Sequence, residues 1–135
     1  MAAAVFRAAA LVLACTSCTT IAADARTLDN SRWHVTAING RATPANGEYR
    51  IEFKGGQISG RFGCNGWGGT YAVAGEMLTA SQVRSTMMAC AEPAMSFESQ
   101  GLSVLQQPMR GTEAAGGKLT LSNSAGLIAL ERTSP

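Results

Sequence analysis

The fold is decided by the stretch YRIEFKGGQISGRF, which occupies residues 49–62. From Tyr49 to Phe53 every second residue is apolar and the residues between them are charged, a period of two that is typical of a half-buried antiparallel strand. The pair Gly55-Gly56 predicts a tight turn, and the alternation resumes after it as far as Cys64. The stretch therefore predicts a β-hairpin, with Cys64 on the inward face of its second strand.

The same alternation continues on both sides of this hairpin. It predicts further strands at 33–38, 70–73, 77–83, 118–122 and 127–132, and a weaker one at 109–112. A helical spacing of apolar residues predicts a helix from Pro93 to about Leu105, and Pro108 lies just beyond its end. This pattern defines the α+β class: an antiparallel, curled or barrel-like sheet of about seven to eight strands with one α-helix that plugs its interior.

Length and composition exclude several classes of function. The chain has 135 residues, enough for one domain, and its 11 Lys and Arg against 9 Asp and Glu give a formal charge of only +2. A charge this small and scattered does not attract nucleic acid or an acidic membrane surface. The chain has a single histidine, His34, so a His-rich metal site cannot form and histidine-based hydrolase chemistry would depend on that one residue.

The amino end has the pattern of a leader. Arg7 precedes an uncharged apolar run at 8–14, which is shorter than the roughly 20 residues of a membrane-spanning helix and indicates a signal peptide. We assign residues 1–25 to this leader and residues 26–135 to the folded domain. The protein is therefore expected to be exported.

Two modes of processing fit this leader. Cys15 follows Val12-Leu13-Ala14, which resembles a bacterial lipobox, and Cys18 is a second candidate for lipidation. Cleavage at Ala23-Asp24-Ala25 would instead release a chain that begins at Arg26. The expected location is the periplasm, or the membrane of the cell envelope if a lipid anchor is present.

The domain that follows the leader contains two cysteines, Cys64 and Cys90. An even count in an oxidising compartment predicts one disulfide, which would stabilise the fold by about 3 kcal/mol. One alternative is an enzyme that uses a Cys64 thiol with His34 as its base, although the alternation places His34 on the solvent face. Another is an enzyme that uses Glu48 with Glu52, which share a face of the predicted strand.

A glycine-rich segment follows the hairpin. Residues 60–71 read GRFGCNGWGGTY, and the spacing of the glycines matches neither of the familiar phosphate-loop patterns. The glycines are interpreted as residues that permit positive φ angles at a sharp turn, where Asn65 hydrogen-bonds the local backbone. Trp67 lies at this corner and is interpreted as an exposed contact for a partner or, alternatively, as a cap on the barrel.

The sequence also resembles the META domain family, which includes the HslJ-like heat-shock proteins of the bacterial envelope. The resemblance is carried by two separated motifs and one later residue: Gly63, Cys64, Asn65, Gly69 and Tyr71, then Thr86, Met87, Met88 and Cys90, then Glu98. It implies an antiparallel barrel-like sheet with one helix, export that is often accompanied by lipidation, and a link to stress response. No enzymatic activity is established for the family.

Function is expected to depend on shape and surface rather than on reactive groups. Met87 and Met88 are interpreted as core residues beside the disulfide, and a copper site formed with Met95 is the alternative. No catalytic residue, metal or cofactor is assigned. We expect a monomer of the periplasm or outer membrane that binds a partner protein or a small apolar ligand, with the two enzyme hypotheses as alternatives.

Overall fold

The computed structural model describes residues 21–22 and 25–133. Cys15 and Cys18, the candidate lipidation sites, lie outside these residues. The described helices are α1 (Ala25–Leu28) and α2 (Ala94–Leu105). The strands are β1 (Ile21–Ala22), β2 (Ser31–Ile38), β3 (Arg41–Ala42), β4 (Tyr49–Lys54), β5 (Gln57–Phe62), β6 (Gly66–Ala74), β7 (Met77–Ser85), β8 (Met109–Ala114), β9 (Lys118–Asn123) and β10 (Gly126–Arg132).

Eight of the strands close into an antiparallel barrel. Around the barrel the order is β8, β7, β6, β5, β4, β2, β10 and β9, and β9 pairs with β8 to close the ring. The seam between β7 and β8 is short, because only Met77 and Leu78 of β7 pair across it. The two-residue strands β1 and β3 pair with β8 and β2 outside the ring. The predicted α+β class, with a barrel-like antiparallel sheet and one long helix, is confirmed.

The alternation of the deciding stretch is realised in β4 and β5. Tyr49, Ile51 and Phe53 of β4 are buried, and β4 pairs with β5 in a register that sets Phe53 opposite the buried Ile58. Paired residues of antiparallel strands point to the same face, so the apolar side chains of both strands meet inside the barrel. Full burial of each such side chain contributes about 1.5–3 kcal/mol.

Helix α2 supplies the plug of the barrel. It packs against β10, β5 and β2, and buries Phe97, Val104 and Leu105 in the same core cluster as the strands. Gly101 is required for this close approach, since a Cβ there would lie 2.6 Å from the Phe62 ring. Pro93 occupies the N-cap position, one residue before the first residue of the helix.

The interior of the barrel is filled with large side chains. The most deeply buried include Trp33, Phe53, Phe62 and Phe97, and the Tyr49 ring meets Phe97 edge-on with ring centroids 5.4 Å apart. Such packing is typical of narrow barrels, whose interior is just wide enough for side chains. Of the helices in the described ranges, neither has the length and apolar character needed to cross a bilayer.

Two details of the fold differ from the sequence prediction. Strand β6 begins at Gly66, four residues before the predicted start, because the glycines of this segment adopt extended backbone rather than a turn. The short elements β1, β3 and α1 were not predicted, since two to four residues cannot display a period. Of these, β1 and the first residue of α1 fall within the residues assigned to the leader.

Candidate functional site

Three segments that are distant in the sequence meet at the turn between β5 and β6. The turn contributes Gly63-Cys64-Asn65, the chain after β7 contributes residues 86–90, and α2 contributes Glu98. The structure therefore brings most residues of the two sequence motifs into one cluster. We call residues 86–90 the clamped loop, because both a side-chain amide and a disulfide hold it.

Asn65 connects the three segments, and every polar atom of its side chain is used. Its Oδ1 accepts hydrogen bonds from the Thr86 hydroxyl at 2.9 Å and from the Met88 N–H at 2.7 Å. Its Nδ2 donates to the Met88 carbonyl at 3.1 Å and to Glu98 Oε2 at 2.9 Å. These four bonds satisfy the hydrogen-bonding capacity of an amide side chain. The predicted bonding of Asn65 to its local backbone is wrong, since all of its partners lie in other segments.

Glu98 fastens this turn to the helix. Its side chain is buried, and its Oε1 accepts a further hydrogen bond from the Asn65 backbone N–H at 2.8 Å. No cation pairs with it among the residues that the structure describes. A buried carboxylate needs hydrogen-bond donors in place of water, and here Asn65 supplies two of them. Glu98 therefore positions the turn.

The disulfide predicted from the cysteine count is present. Cys64 and Cys90 are bonded, with their Cα atoms 5.9 Å apart. Both sulfur atoms are consumed in this bond, so the hypothesis of a Cys64 nucleophile lacks its thiol. His34, the base of that hypothesis, is opposite Arg50 in the β2–β4 register, and Arg50 is on the exposed face of β4.

The paired-carboxylate hypothesis is also not supported by the geometry. Glu48 precedes β4 and lies 3.0 Å from Arg50 Nη1 and 3.1 Å from Arg61 Nε, and Glu52 lies 3.4 Å from Arg32 Nε. The hydrogen bond and charge of Arg50, together with the charge of Arg61, lower the pKa of Glu48. A general acid in glycoside hydrolysis needs a raised pKa, so the shift has the opposite sign.

The clamped loop holds two methionines in solvent. The exposed fraction is 96% for Met87 and 54% for Met88, so their interpretation as core residues is wrong. The physical reason is that the loop is held through the Met88 backbone and Cys90, which leaves its side chains free to point outward. Met95, the third residue of the copper alternative, is half-buried on α2.

The glycine-rich segment contains one positive φ angle, not several. Gly63 has φ +94°, whereas the other glycines of residues 60–71 have φ outside the left-handed region. Gly69 is required for another reason, since a Cβ there would lie 2.5 Å from the Ser81 carbonyl oxygen. Tyr71 packs its ring edge-on against Phe53 at 5.0 Å. Gly69 and Tyr71 therefore shape the barrel and do not join the cluster around Asn65.

Trp67 is inside the barrel. Its residue exposure is 4%, and its ring stacks on Phe62 with centroids 5.2 Å apart. Its burial contradicts the interpretation as an exposed partner contact. The ring passes over Gly60, where a Cβ would lie 2.8 Å from Trp67 Cζ2, so the missing side chain of Gly60 makes room for it.

Sequence reasoning identified the motif residues but missed what connects them. Asn65 and Met88 are 23 positions apart, and Asn65 and Glu98 are 33 apart. No period relates segments at such distances. The signal that was available is the residue type, because a buried asparagine needs partners for both ends of its amide. In the described ranges, no group of three or more His, Cys, Asp or Glu side chains is placed to hold a metal ion.

These features define a class: a small antiparallel barrel plugged by one helix, with one turn fastened to the helix and to a loop by an asparagine and a disulfide. The chain belongs to the META domain family, because the family model described as META domain matches residues 26–134. This is not a known enzyme family.

Two solved structures are similar in fold. An NMR structure of a protein from Burkholderia xenovorans is 22% identical, with a TM-score of 0.69, and the match covers 82% of this chain and 86% of that chain. A second NMR structure is also 22% identical with a TM-score of 0.69, and the match covers 78% of this chain and 92% of that one. At this identity the likeness shows the fold alone. The comparison with curated proteins gave no match.

Proposed function

We propose that this protein is a non-enzymatic binding protein of the bacterial cell envelope, associated with stress response, and that it contacts a partner protein through the clamped loop. The observation that carries the proposal is the exposure of Met87, at 96%, on a loop that is held by the Thr86 hydroxyl at one end and by the Cys90 disulfide at the other. A side chain this exposed buries almost no apolar area and therefore adds little to the stability of the isolated fold.

The geometry of the loop suits recognition. Methionine is flexible and polarisable, so it adapts to apolar pockets of varied shape. The hydrogen bonds of Asn65 to Thr86 and Met88 hold the loop before any partner arrives. A loop ordered in advance loses less conformational entropy on binding, which favours affinity.

The filled interior favours a partner protein over a small apolar ligand inside the barrel. Trp33, Phe53, Phe62 and Phe97 are each at most 1% exposed and pack within the same cluster. An enclosed ligand would have to displace these side chains, which costs about 3–5 kcal/mol for each aromatic residue removed from a core. A surface contact needs no such rearrangement.

Export with a lipid anchor is part of the proposal. Strand β1 pairs Ile21 with Glu113 and Ala22 with Thr112 of β8, although it falls within the predicted leader. Cleavage before Arg26 would remove this strand, whereas lipidation at Cys15 or Cys18 would keep it. We therefore expect the mass of the mature protein to correspond to a lipidated Cys15 or Cys18. A mature chain that begins at Arg26 would refute the anchor.

The contact through the loop can be tested by complementation of a disruption strain grown under heat, antibiotic and oxidant stress. The variant Met87→Ser with Met88→Ser removes the apolar surface while the backbone bonds of the loop stay in place. The matched control is Met77→Ser, because Met77 is also exposed but lies at the opposite end of β7. We expect wild type and Met77→Ser to restore growth under the stress that affects the strain, and the double variant to fail.

The result is interpretable only for folded protein, so the thermal midpoint of each variant is measured as well. Surface substitutions of this kind usually change stability by less than about 0.5 kcal/mol. If the double variant is as stable as wild type and restores growth equally well, the loop is not the contact and the proposal fails.

A further inference from the structure

An open groove lies on the outer surface of the barrel, across β4, β5, β6 and β7. Its volume is about 570 Å³, and its walls include Arg50, Ser59, Arg84 and Thr86. Volumes of roughly 300–1,000 Å³ are typical of sites for small molecules. The groove is separate from the filled interior.

The floor of the groove is formed by two glycines that the fold does not require. Gly66 and Gly68 have φ outside the left-handed region, and the nearest atom to a Cβ at either position would be 3.7 Å away, an ordinary contact distance. By contrast, a Cβ at Gly60 would collide with the Arg50 carbonyl oxygen. Glycine weakens a strand and often marks a place where a ligand approaches the backbone. Gly66 and Gly68 thus keep the groove open at a cost to strand stability.

The walls of the groove carry unbalanced positive charge. Arg84 has no ion pair or hydrogen bond from its side chain among the described residues, and Gly68 is its partner in the β6–β7 register. On the opposite wall, Arg50 shares the carboxylate of Glu48 with Arg61, while Glu52 is engaged by Arg32. Of the residues that line the groove, Arg50 and Arg84 are cationic and Glu52 is anionic, so the lining has one positive charge in excess. Arginine binds carboxylate and phosphate groups through paired N–H donors.

We propose that this groove binds a small molecule that bears carboxylate or phosphate groups, with Arg84 as the principal anion contact and the bare backbone of Gly66 and Gly68 as the floor. Ser59 and Ser85 line the same groove, and their hydroxyl groups supply neutral hydrogen-bond donors. This site is distinct from the partner contact at Met87, so either proposal can fail without the other.

The test is an amide chemical-shift titration of the protein at low ionic strength, because salt screens exposed charges. The probes are citrate, which carries carboxylates, and inorganic phosphate, with glycerol as the uncharged control. We expect shifts confined to residues 66–68 and 84–86 with at least one anion and none with glycerol. Shifts with citrate alone would assign the site to carboxylates, and shifts with phosphate alone would assign it to phosphates. Shifts with both anions would show that the site accepts either group.

Three variants complete the test. Arg84→Gln should weaken binding about tenfold, as expected for the loss of one charge-assisted contact. Arg110→Gln is the matched control, since Arg110 is an exposed arginine of β8 away from the groove, and it should bind like wild type. Gly68→Val should fill the floor and abolish binding while it keeps the thermal midpoint, because valine suits a strand.

The proposal is overturned if neither anion produces shifts at these residues, or if Arg84→Gln binds both anions like wild type. It is also overturned if folded Gly68→Val binds as tightly as wild type. Because Arg84 is exposed and has no structural partner, Arg84→Gln is expected to fold, and the test stands even where Gly68→Val does not.

Discussion

The barrel interior and the clamped loop are neighbours that are held by opposite kinds of interaction. The interior is joined by apolar side chains such as Ile51, Phe53 and Phe62, whose attraction is strong but has no direction. The clamped loop is attached to the barrel by the Asn65 side chain, whose amide makes all the hydrogen bonds it can, and by one disulfide. Each of these bonds fixes the position of a particular atom. Packing therefore makes the barrel, and directional bonds decide where the loop stands on it.

This difference teaches how a small barrel can present an apolar side chain without burying it. Hydrophobic packing alone would draw Met87 towards the nearest apolar surface. The loop resists this because its backbone is bound at Met88 and its end is bonded at Cys90. If this difference holds, removal of the Asn65 hydrogen bonds or of the disulfide should free the clamped loop and leave the interior packed.

The largest expected effect comes from removal of the disulfide. We expect Cys64→Ser with Cys90→Ser to lower the free energy of unfolding by about 3 kcal/mol, because the unfolded chain regains the freedom of the closed loop. The thermal midpoint should fall by roughly 10–20 °C for a domain of this size. Guanidinium unfolding followed by tryptophan fluorescence measures the change.

Reductant provides the control for this experiment. It should destabilise the wild type by a similar amount and leave the double variant unchanged. Below the midpoint the variant should keep the fluorescence of buried Trp33 and Trp67, since these side chains belong to the packed interior. If the variant loses the packed interior under native conditions, the barrel depends on the disulfide for its packing, and the proposed difference between the loop and the interior is wrong.

A smaller effect is expected from Asn65→Asp. The substitution keeps the shape of the side chain but replaces Nδ2 by an oxygen that faces Glu98 Oε2, now 2.9 Å from Nδ2. Two carboxylates at this distance repel each other and raise the pKa of one of them. We expect a loss of about 1–3 kcal/mol at neutral pH, partly recovered as the pH is lowered and one carboxyl of the pair binds a proton.

Hydrogen exchange distinguishes the loop from the barrel in this variant. The Met88 amide should exchange faster, while amides of paired residues in β4 and β5 keep their protection. Asn46→Asp is the matched control, because Asn46 is exposed in a turn and the same chemical change there should have little effect. Stability of Asn65→Asp equal to wild type at neutral pH would show that Asn65 does not hold the turn.

The barrel was predictable from the sequence because its determinants are local. Alternation in residues such as Tyr49, Ile51 and Phe53 reports burial directly, and the hairpin at Gly55-Gly56 follows from two adjacent residues. The helix was predictable for the same reason, since its apolar spacing lies within twelve residues. Local patterns of this kind are found again in the structure because the apolar residues that form them are stabilised by burial in the core.

The site was predictable only in part because its determinants are distant or absent. The disulfide followed from a count of two cysteines, but the exposure of Met87 depends on which atoms of its loop are bound elsewhere. The groove depends on side chains that Gly66 and Gly68 lack, and a glycine in a sequence does not say whether φ, a close approach or open space requires it. Only the positions of the neighbouring strands in the structure show which of these three reasons applies to a given glycine.

The smallest expected effect concerns the interior and uses the two tyrosines of the chain, Tyr49 and Tyr71. Burial raises the pKa of both phenols above the ordinary value of 10.0; the charge of Asp29 raises the pKa of Tyr71 further, and Arg41 partly offsets the shift at Tyr49. A raised folded-state pKa means that the neutral phenols add stability that is complete below the unfolded pKa and is lost as pH rises through the folded pKa.

Phenolate absorbance should therefore develop at higher pH in native protein than in guanidinium, and Tyr49→Phe isolates Tyr71. Asp29→Asn should then move the Tyr71 titration to lower pH, because it removes the negative charge of Asp29, which disfavours the negatively charged phenolate of Tyr71. Coincident titration of native and unfolded protein would mean that water reaches the phenols, and the contrast between a dry interior and a hydrogen-bonded clamp would not hold.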